Sequence, residues 1–225
     1  MKNNIPVVLS IAGSDSGGGA GIQADIKTLN TMKVFTTTAI TCITAQNTKQ
    51  INAITKVPAD LIELQIQSVN EDFEISAVKI GMLYCKETIL TVSKCLGVFR
   101  GIPIIIDPLI ISKSGNYLLR PSAISLFKKK ILPKSFLLTP NLHEALILSG
   151  MKEIKDEDDI KTCFIRLKKL GAKNILIKGG HSNSKKEIVD HLYHNKKIYK
   201  FASKRYNTKN THGTGCTLSA AISGN

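Results

Sequence analysis

Aromatic side chains are scarce, at 5% of 225 residues, and no stacking pattern interleaves with the basic runs. Grooves for single-stranded nucleic acid combine charge with stacking platforms. The net charge of +14, from 31 Lys and Arg against 17 Asp and Glu, therefore points to a surface that attracts nucleotides and other anions, with no nucleic-acid partner expected. The lysines are also scattered, in Lys128 to Lys130, Lys168-Lys169, Lys185-Lys186 and Lys196-Lys197. No stretch approaches the ~20 apolar residues of a membrane span. Met1-Lys2-Asn3-Asn4 leads straight into strand-like sequence, without an apolar signal region or a small-residue cleavage site. A cytoplasmic protein with no membrane partner is the expectation. The five cysteines (Cys42, Cys85, Cys95, Cys163, Cys216) are odd in number and contain no CxxC pair, which argues against a disulfide framework or a zinc site. His191 and His194 lie three apart in a strand-like segment, so they face opposite sides and make no metal pair. Internal repeats, low-complexity tracts and linkers are all missing. One domain over residues 1–225 is expected.

What is present is alternation. Apolar, β-branched runs occur at Val7 to Ala12, Thr36 to Ala45, Ala77 to Ile80, Ile102 to Ile106, Phe136 to Leu138 and Ile175 to Ile177. Several are apolar on both faces, as strands buried between helix layers are. Helical patterns lie between them: Ile22 to Met32, Pro58 to Phe73, Lys86 to Val98, Pro121 to about Ile131 and Asp156 to Leu170. The last has acids at its start, lysines at its end and Gly171 just beyond, as the helix dipole prefers. Repeated βα units predict an α/β fold with a mainly parallel central sheet and helices on both sides. Glu187 to Tyr193 and Lys197 to Ala202, joined across Asn195-Lys196, add a hairpin.

The chemistry-bearing residues sit where strands end. Gly13-Ser14-Asp15-Ser16-Gly17-Gly18-Gly19-Ala20-Gly21 follows the first strand and opens a helix with Gln23 and Asp25. It is neither a full GxGxxG fingerprint nor a Walker loop. Five glycines within nine residues still exceed what one turn requires, which favours a ligand. Gln46, after the second strand, offers a donor and an acceptor to a ring bearing amine and imine groups, although a surface amide is the plainer alternative. Asp107 follows an apolar strand and precedes Pro108, and Asn141 and Glu144 follow a second apolar strand and Pro140. Together they offer Mg²⁺ oxygen or water ligands, whereas each alone reads as a helix cap or a solvated group. Lys178, after Ile175-Leu176-Ile177 and beside Gly179-Gly180, suits phosphate oxygens. The segment Asn210-Thr211-His212-Gly213-Thr214-Gly215-Cys216-Thr217 then opens a small-residue helix, and its backbone amides and dipole suit an anion. Cys216 lies in the first helical turn, where a thiol pKa tends to fall.

These segments, in this order, resemble the bacterial hydroxymethylpyrimidine/phosphomethylpyrimidine kinases of thiamine biosynthesis, in the ribokinase-like superfamily. The resemblance rests on Ile11 to Asp25, Ala45-Gln46-Asn47-Thr48, Lys79-Ile80-Gly81-Met82-Leu83, Asp107-Pro108 with Lys113-Ser114-Gly115, Thr139-Pro140-Asn141 with Glu144-Ala145, Lys178-Gly179-Gly180-His181 and the final glycine motif. It implies a three-layer αβα fold and transfer of the ATP γ-phosphoryl to 4-amino-5-hydroxymethyl-2-methylpyrimidine, then to its monophosphate. Gln46 matches the family's pyrimidine-binding glutamine, and Asp25, Gly13 and Met82 match pocket positions. Asp107, Asn141, Glu144, Lys178 and Thr211 match the ATP–Mg²⁺ side, with Mg²⁺ reached through water from Asp107 and Glu144. Gly213, Thr214 and Gly215 match the anion hole, and Cys216 matches a proposed catalytic base. A homodimer is also implied. The family's Asp-Pro-Val-Met reads Asp107-Pro108-Leu109-Ile110, and the domain reads as short at its C-terminus, stopping at Ser223-Gly224-Asn225 where the family normally continues for a few more helices. Two alternatives stay open: a pyridoxal or pyridoxine kinase of the same superfamily, and a truncated, non-catalytic relative.

Overall fold

A computed structural model describes residues 5–112, 115–181, 187–208 and 210–225. Met1 to Asn4, Lys113-Ser114 and Lys185-Lys186 lie outside the described residues. Along the chain the elements are β1 (Val7–Asp15), α1 (Gly21–Thr31), β2 (Phe35–Gln46), β3 (Ile51–Lys56), α2 (Ala59–Asp72), β4 (Ile75–Ile80), α3 (Lys86–Cys95) and β5 (Ile104–Ile106). They continue with α4 (Ile124–Lys130), β6 (Leu137–Leu138), α5 (Leu142–Ser149), α6 (Glu157–Lys169), β7 (Asn174–Ile177), β8 (Glu187–His194), β9 (Lys197–Lys204) and α7 (Thr214–Ser223).

The described strands form one sheet in the order β3-β2-β1-β4-β5-β6-β7-β8-β9. Pairing is parallel from β2 through β1, β4, β5 and β6 to β7, and antiparallel at β2–β3, β7–β8 and β8–β9. This is the three-layer α/β architecture expected from the alternation, with the hairpin at one edge. Asn195 and Lys196 both adopt left-handed backbone (φ 49° and 63°), as a two-residue hairpin turn requires.

Strand residues alternate between two cores. Leu9, Ile11, Val78, Ile80 and Ile106 join the large core under α2 to α6, whereas Val8, Ala77 and Ile105 join a smaller one with Leu29 of α1 and Ala220 of α7. That period of two is what a sheet covered on both faces demands. On the α1–α7 face, a groove lined by Val8, Ala77, Ile105 and Ile222 opens at the amino ends of the strands, away from the residues singled out above.

Some boundaries differ from the sequence expectation. β1 runs on past Gly13 to Asp15 because Ser14 and Asp15 pair with Ile43 and Thr44 beyond an irregularity in register at Gly13. β5 and β6 are short, since only Ile104–Ile106 and Leu137–Leu138 make ladders. Pro121 opens a 3-10 turn (Pro121–Ala123) ahead of α4. The edge strand β3 carries no periodic apolar pattern and is a strand by virtue of its pairing with β2.

Candidate active site

The sheet order reverses direction at β1, which has β2 on one side and β4 on the other. Loops leaving such neighbouring strands part from each other, and ligands bind in the crevice at the carboxyl ends. Asp15, the last residue of β1, organises the loop there. Its Oδ1 accepts from Gly17 N at 2.8 Å, and its Oδ2 accepts from Gly19 N at 3.1 Å, Ala20 N at 2.8 Å and His212 Nε2 at 2.9 Å. Burial alone would raise the Asp15 pKa, but the His212 bond and the Gly17 and Ala20 amides outweigh it and hold the carboxyl below its ordinary value. The loop is also tied to β2, because the Ser16 hydroxyl donates to Gln46 O and accepts from Gln46 N, both at 2.8 Å.

Near the carboxyl end of β1, Gly13 and Met82 lie close together, and Gln46 ends β2 beside the glycine loop. A Cβ on Gly13 would stand 2.8 Å from Cys42 Sγ and 3.4 Å from Met82 Sδ, so only glycine leaves room. Cys42, Met82 and Leu118 form an apolar cluster with Tyr84 and Leu109 packed on it. The Gln46 amide oxygen accepts from Thr44 Oγ1 at 3.2 Å. Asp25, on α1, is held in an ion pair. Its carboxylate is fully buried, 2.9 Å from Lys79 Nζ, and accepts from Ser10 Oγ at 2.6 Å. Lys79 is itself fully buried. Burial opposes its charge, but Asp25, helped by Cys216 and Asp107, outweighs that and raises its pKa.

At the carboxyl ends of the next strands, β5 delivers Asp107, β6 leads through Pro140 to Asn141 and Glu144, and β7 delivers Lys178. Lys178 Nζ lies 2.8 Å from Asp107 Oδ1. Asn141 and Glu144 form a reciprocal capping box: Asn141 Oδ1 accepts from Glu144 N, and Glu144 Oε2 accepts from Asn141 N, each at 2.9 Å. Burial, then the Asp107 charge, pushes the Glu144 pKa up to about 7, against the pull of Lys178. Gly213 caps α7 in the left-handed conformation (φ 76°), pressed against the Gly19 carbonyl where any Cβ would collide. A Cβ on Gly215 would sit 3.3 Å from Lys178 Nζ and 3.8 Å from Asp107 Oδ2. The start of α7 therefore faces the Lys178–Asp107 pair across a gap that a side chain would fill. Thr214 Oγ1 donates to Thr211 O at 3.1 Å, closing the loop ahead of the helix.

Cys216 lies beside these groups but is not the activated thiol expected from its helix position. It is 3% exposed, and burial pushes its pKa up to about 11; Lys79 pulls against the rise, while Asp107 and Asp25 reinforce it. Desolvation wins because a helix terminus is worth only about 0.3–1 kcal/mol.

The donor set fits a nucleotide triphosphate with a hard cation. Two buried carboxylates supply oxygen, a lysine supplies a point charge, and the α7 amides start beside both. Among the described residues no cluster of three or more His, Cys, Asp or Glu could hold a metal alone, so a cation here needs water or phosphate oxygens to complete its shell. Three residues of this site had no assigned role in the sequence reading: Lys79, Asp15 and His212. A carboxylate opening a glycine-rich loop is a recognisable capping signal for Asp15. No local signal marks the other two.

Residues 15–225 match the family model described as phosphomethylpyrimidine kinase. A hydroxymethylpyrimidine/phosphomethylpyrimidine kinase of Haemophilus influenzae is 44% identical over 223 residues, covering 98% of this chain and 82% of the relative. A bifunctional thiamine biosynthesis protein of Geobacter sulfurreducens is 41% identical over 215 residues, and there the chain spans 96% of its own length but 44% of the relative's. Among solved structures, a phosphomethylpyrimidine kinase of Clostridium difficile superposes with a TM-score of 0.85 at 39% identity, covering 97% of this chain and 89% of that one. A pyridoxal kinase of Staphylococcus aureus in complex with AMP-PCP and pyridoxal gives a TM-score of 0.89 at 29% identity, covering 99% and 80%. No helix among the described residues is long and apolar enough to cross a membrane.

Proposed function

The chain belongs to the phosphomethylpyrimidine kinase family, and from that premise we propose that it phosphorylates 4-amino-5-hydroxymethyl-2-methylpyrimidine and then its monophosphate, using ATP, in thiamine diphosphate biosynthesis. The observation that carries this reading is the convergence of the α7 amino terminus with the Lys178–Asp107 pair at the carboxyl ends of the strands. ATP supplies the phosphoryl group, and Mg²⁺ neutralises its oxygens. Phosphoryl transfer then asks the protein mainly for alignment and charge balance.

Gln46 orients the pyrimidine by its amide, with Met82, Cys42 and Leu118 as the apolar wall. The amides of Gly213 to Cys216 receive the developing charge on the phosphoryl oxygens. Lys178 holds a phosphate oxygen, Asp107 and Glu144 hold the cation through water, and Asn141 and Thr211 frame the nucleotide. The substrate hydroxyl oxygen attacks the γ-phosphorus, the bond to the β-phosphate oxygen breaks, and the hydroxyl proton passes to the Cys216 sulfur. Only the minor thiolate form of Cys216 can accept it, so turnover climbs with pH. Asp25, the counter-ion of Lys79, borders the pyrimidine site. The same proposal has the enzyme in the cytoplasm as a homodimer, which sedimentation of the purified chain tests.

A coupled ADP-release assay with the pyrimidine alcohol and Mg-ATP is the direct test. ADP formation that requires the alcohol supports the proposal, and its absence defeats it. Because a pyridoxal kinase shares the fold so closely, pyridoxal is the control substrate. A preference for pyridoxal would move the assignment to that activity.

A further inference from the structure

We propose that His212 is a positioning residue that, through Asp15, locks the main-chain amides of the anion loop in register with the glycine loop on the ring side. The inference rests on the kinase reading of the site but concerns two residues to which that reading gives no role.

Asp15 is a buried carboxylate, 3% exposed, and a buried charge is tolerable only when its lone pairs are filled. Three donors come from its own loop, the amides of Gly17, Gly19 and Ala20. The fourth, His212 Nε2 at 2.9 Å, comes from the other end of the chain. An ionised carboxylate only accepts, so Nε2 carries the proton in this bond. The imidazole is thus held at its tip by the loop that shapes the ring pocket.

The residue after His212 is Gly213, the left-handed cap from which the anion-loop amides start. The two loops also touch without slack. A Cβ on Gly19 would come within 2.5 Å of His212 Cδ2, and one on Gly213 would strike the Gly19 carbonyl. Contact on both sides of the Asp15–His212 bond turns the pair of loops into one rigid unit. A short cap preceded by a pinned side chain cannot rotate its peptide planes independently. The aim of the α7 amides is therefore set by the ring-side loop. A ring-binding loop and a phosphoryl-binding loop coupled in this way keep the hydroxymethyl oxygen and the migrating group in line. Loss of about 1 Å in such alignment costs roughly 100-fold in rate.

The test compares wild type with H212Q, whose amide nitrogen reproduces the Nε2 donor, and with H212F, which keeps a ring against Gly19 but donates nothing. Three quantities are read: kcat and KM for the pyrimidine alcohol, melting temperature, and amide hydrogen exchange across residues 212–218 in the ligand-free protein. The expected result is that H212F lowers kcat by roughly 10- to 100-fold with KM for the alcohol unchanged, and speeds exchange in that segment. H212Q should recover most of both. Wild-type kcat and exchange in H212F would overturn the inference, as would an H212Q protein no better than H212F. Should H212F fail to fold, exchange in H212Q decides, protection supporting the inference and its loss refuting it. Should the wild type turn over no pyrimidine alcohol, the kinase reading falls, while the exchange arm still judges the coupling.

Discussion

Lys178 reaches across the end of β6 to meet Asp107, so two strands that are not neighbours in the sheet, β7 and β5, are joined at their carboxyl ends by one 2.8 Å ion pair. Asp107 is fully buried, and Asp107 and Glu144 together outweigh the cost of burial to hold the Lys178 pKa above its ordinary value. Removing one partner of such a pair strands the other charge, at a cost of about 3–5 kcal/mol. Lys178→Met should therefore destabilise the protein to that degree in urea unfolding. Lys178→Met with Asp107→Asn should regain much of the loss while remaining inactive in the ADP-release assay. A double variant no more stable than the single one would show that the pair contributes through something other than charge balance.

The Cys216 thiol predicts a pH profile. With its pKa near 11, the thiolate fraction grows about tenfold for each pH unit below that value. kcat should rise between pH 7 and 9, and Cys216→Ala should flatten the curve and fall below wild type by roughly 100-fold or more at the upper end. A wild-type profile that is flat over this range would remove Cys216 as proton acceptor.

Glu144 predicts a stability profile. Its folded pKa, near 7, lies above the ordinary glutamate value of 4.5, so the folded protein holds this proton more tightly than the unfolded chain does. The stabilisation is fully present below about 4.5 and is lost as pH rises through about 7. Glu144→Gln should lack that decline and be the more stable protein at pH 8, yet require more Mg²⁺ for turnover. Thermal melts from pH 5 to 8 at matched salt read the first effect, and Mg²⁺ titration of activity reads the second.

The two anion-loop glycines should fail differently when each is changed to alanine. Gly213→Ala forces a left-handed residue into the Gly19 carbonyl, so stability and activity should both drop. Gly215→Ala places a methyl 3.3 Å from Lys178 Nζ inside a helix that tolerates alanine, so kcat should fall while the melting temperature holds. Equal losses of stability in both variants would contradict this division.

Much of this was legible before any coordinates. Alternating apolar runs gave the sheet because burial between helix layers leaves no polar face, and the glycine loops stood out because glycine is costly elsewhere. β3 was not legible, since Ile51–Lys56 is a strand through its ladder with β2 and not through its own pattern. The Lys79–Asp25 pair was hidden for a related reason. Its members are 54 positions apart, and each alone looks like an ordinary charged residue on a strand or helix. The Cys216 thiol misled for a third reason: its place in α7 could be read from sequence, but the depth of its burial could not.

Asp15 and His212 are separated by 197 positions, and that distance has a consequence for how the enzyme comes into being. Loop-closure entropy must be spent before contacts this remote form, which slows folding. A growing chain can lay down β1, β2 and β4 and shield most of the sheet while remaining catalytically mute. The Asp15–His212 bond, and the coupling of the two loops with it, can form only once residue 212 has been made.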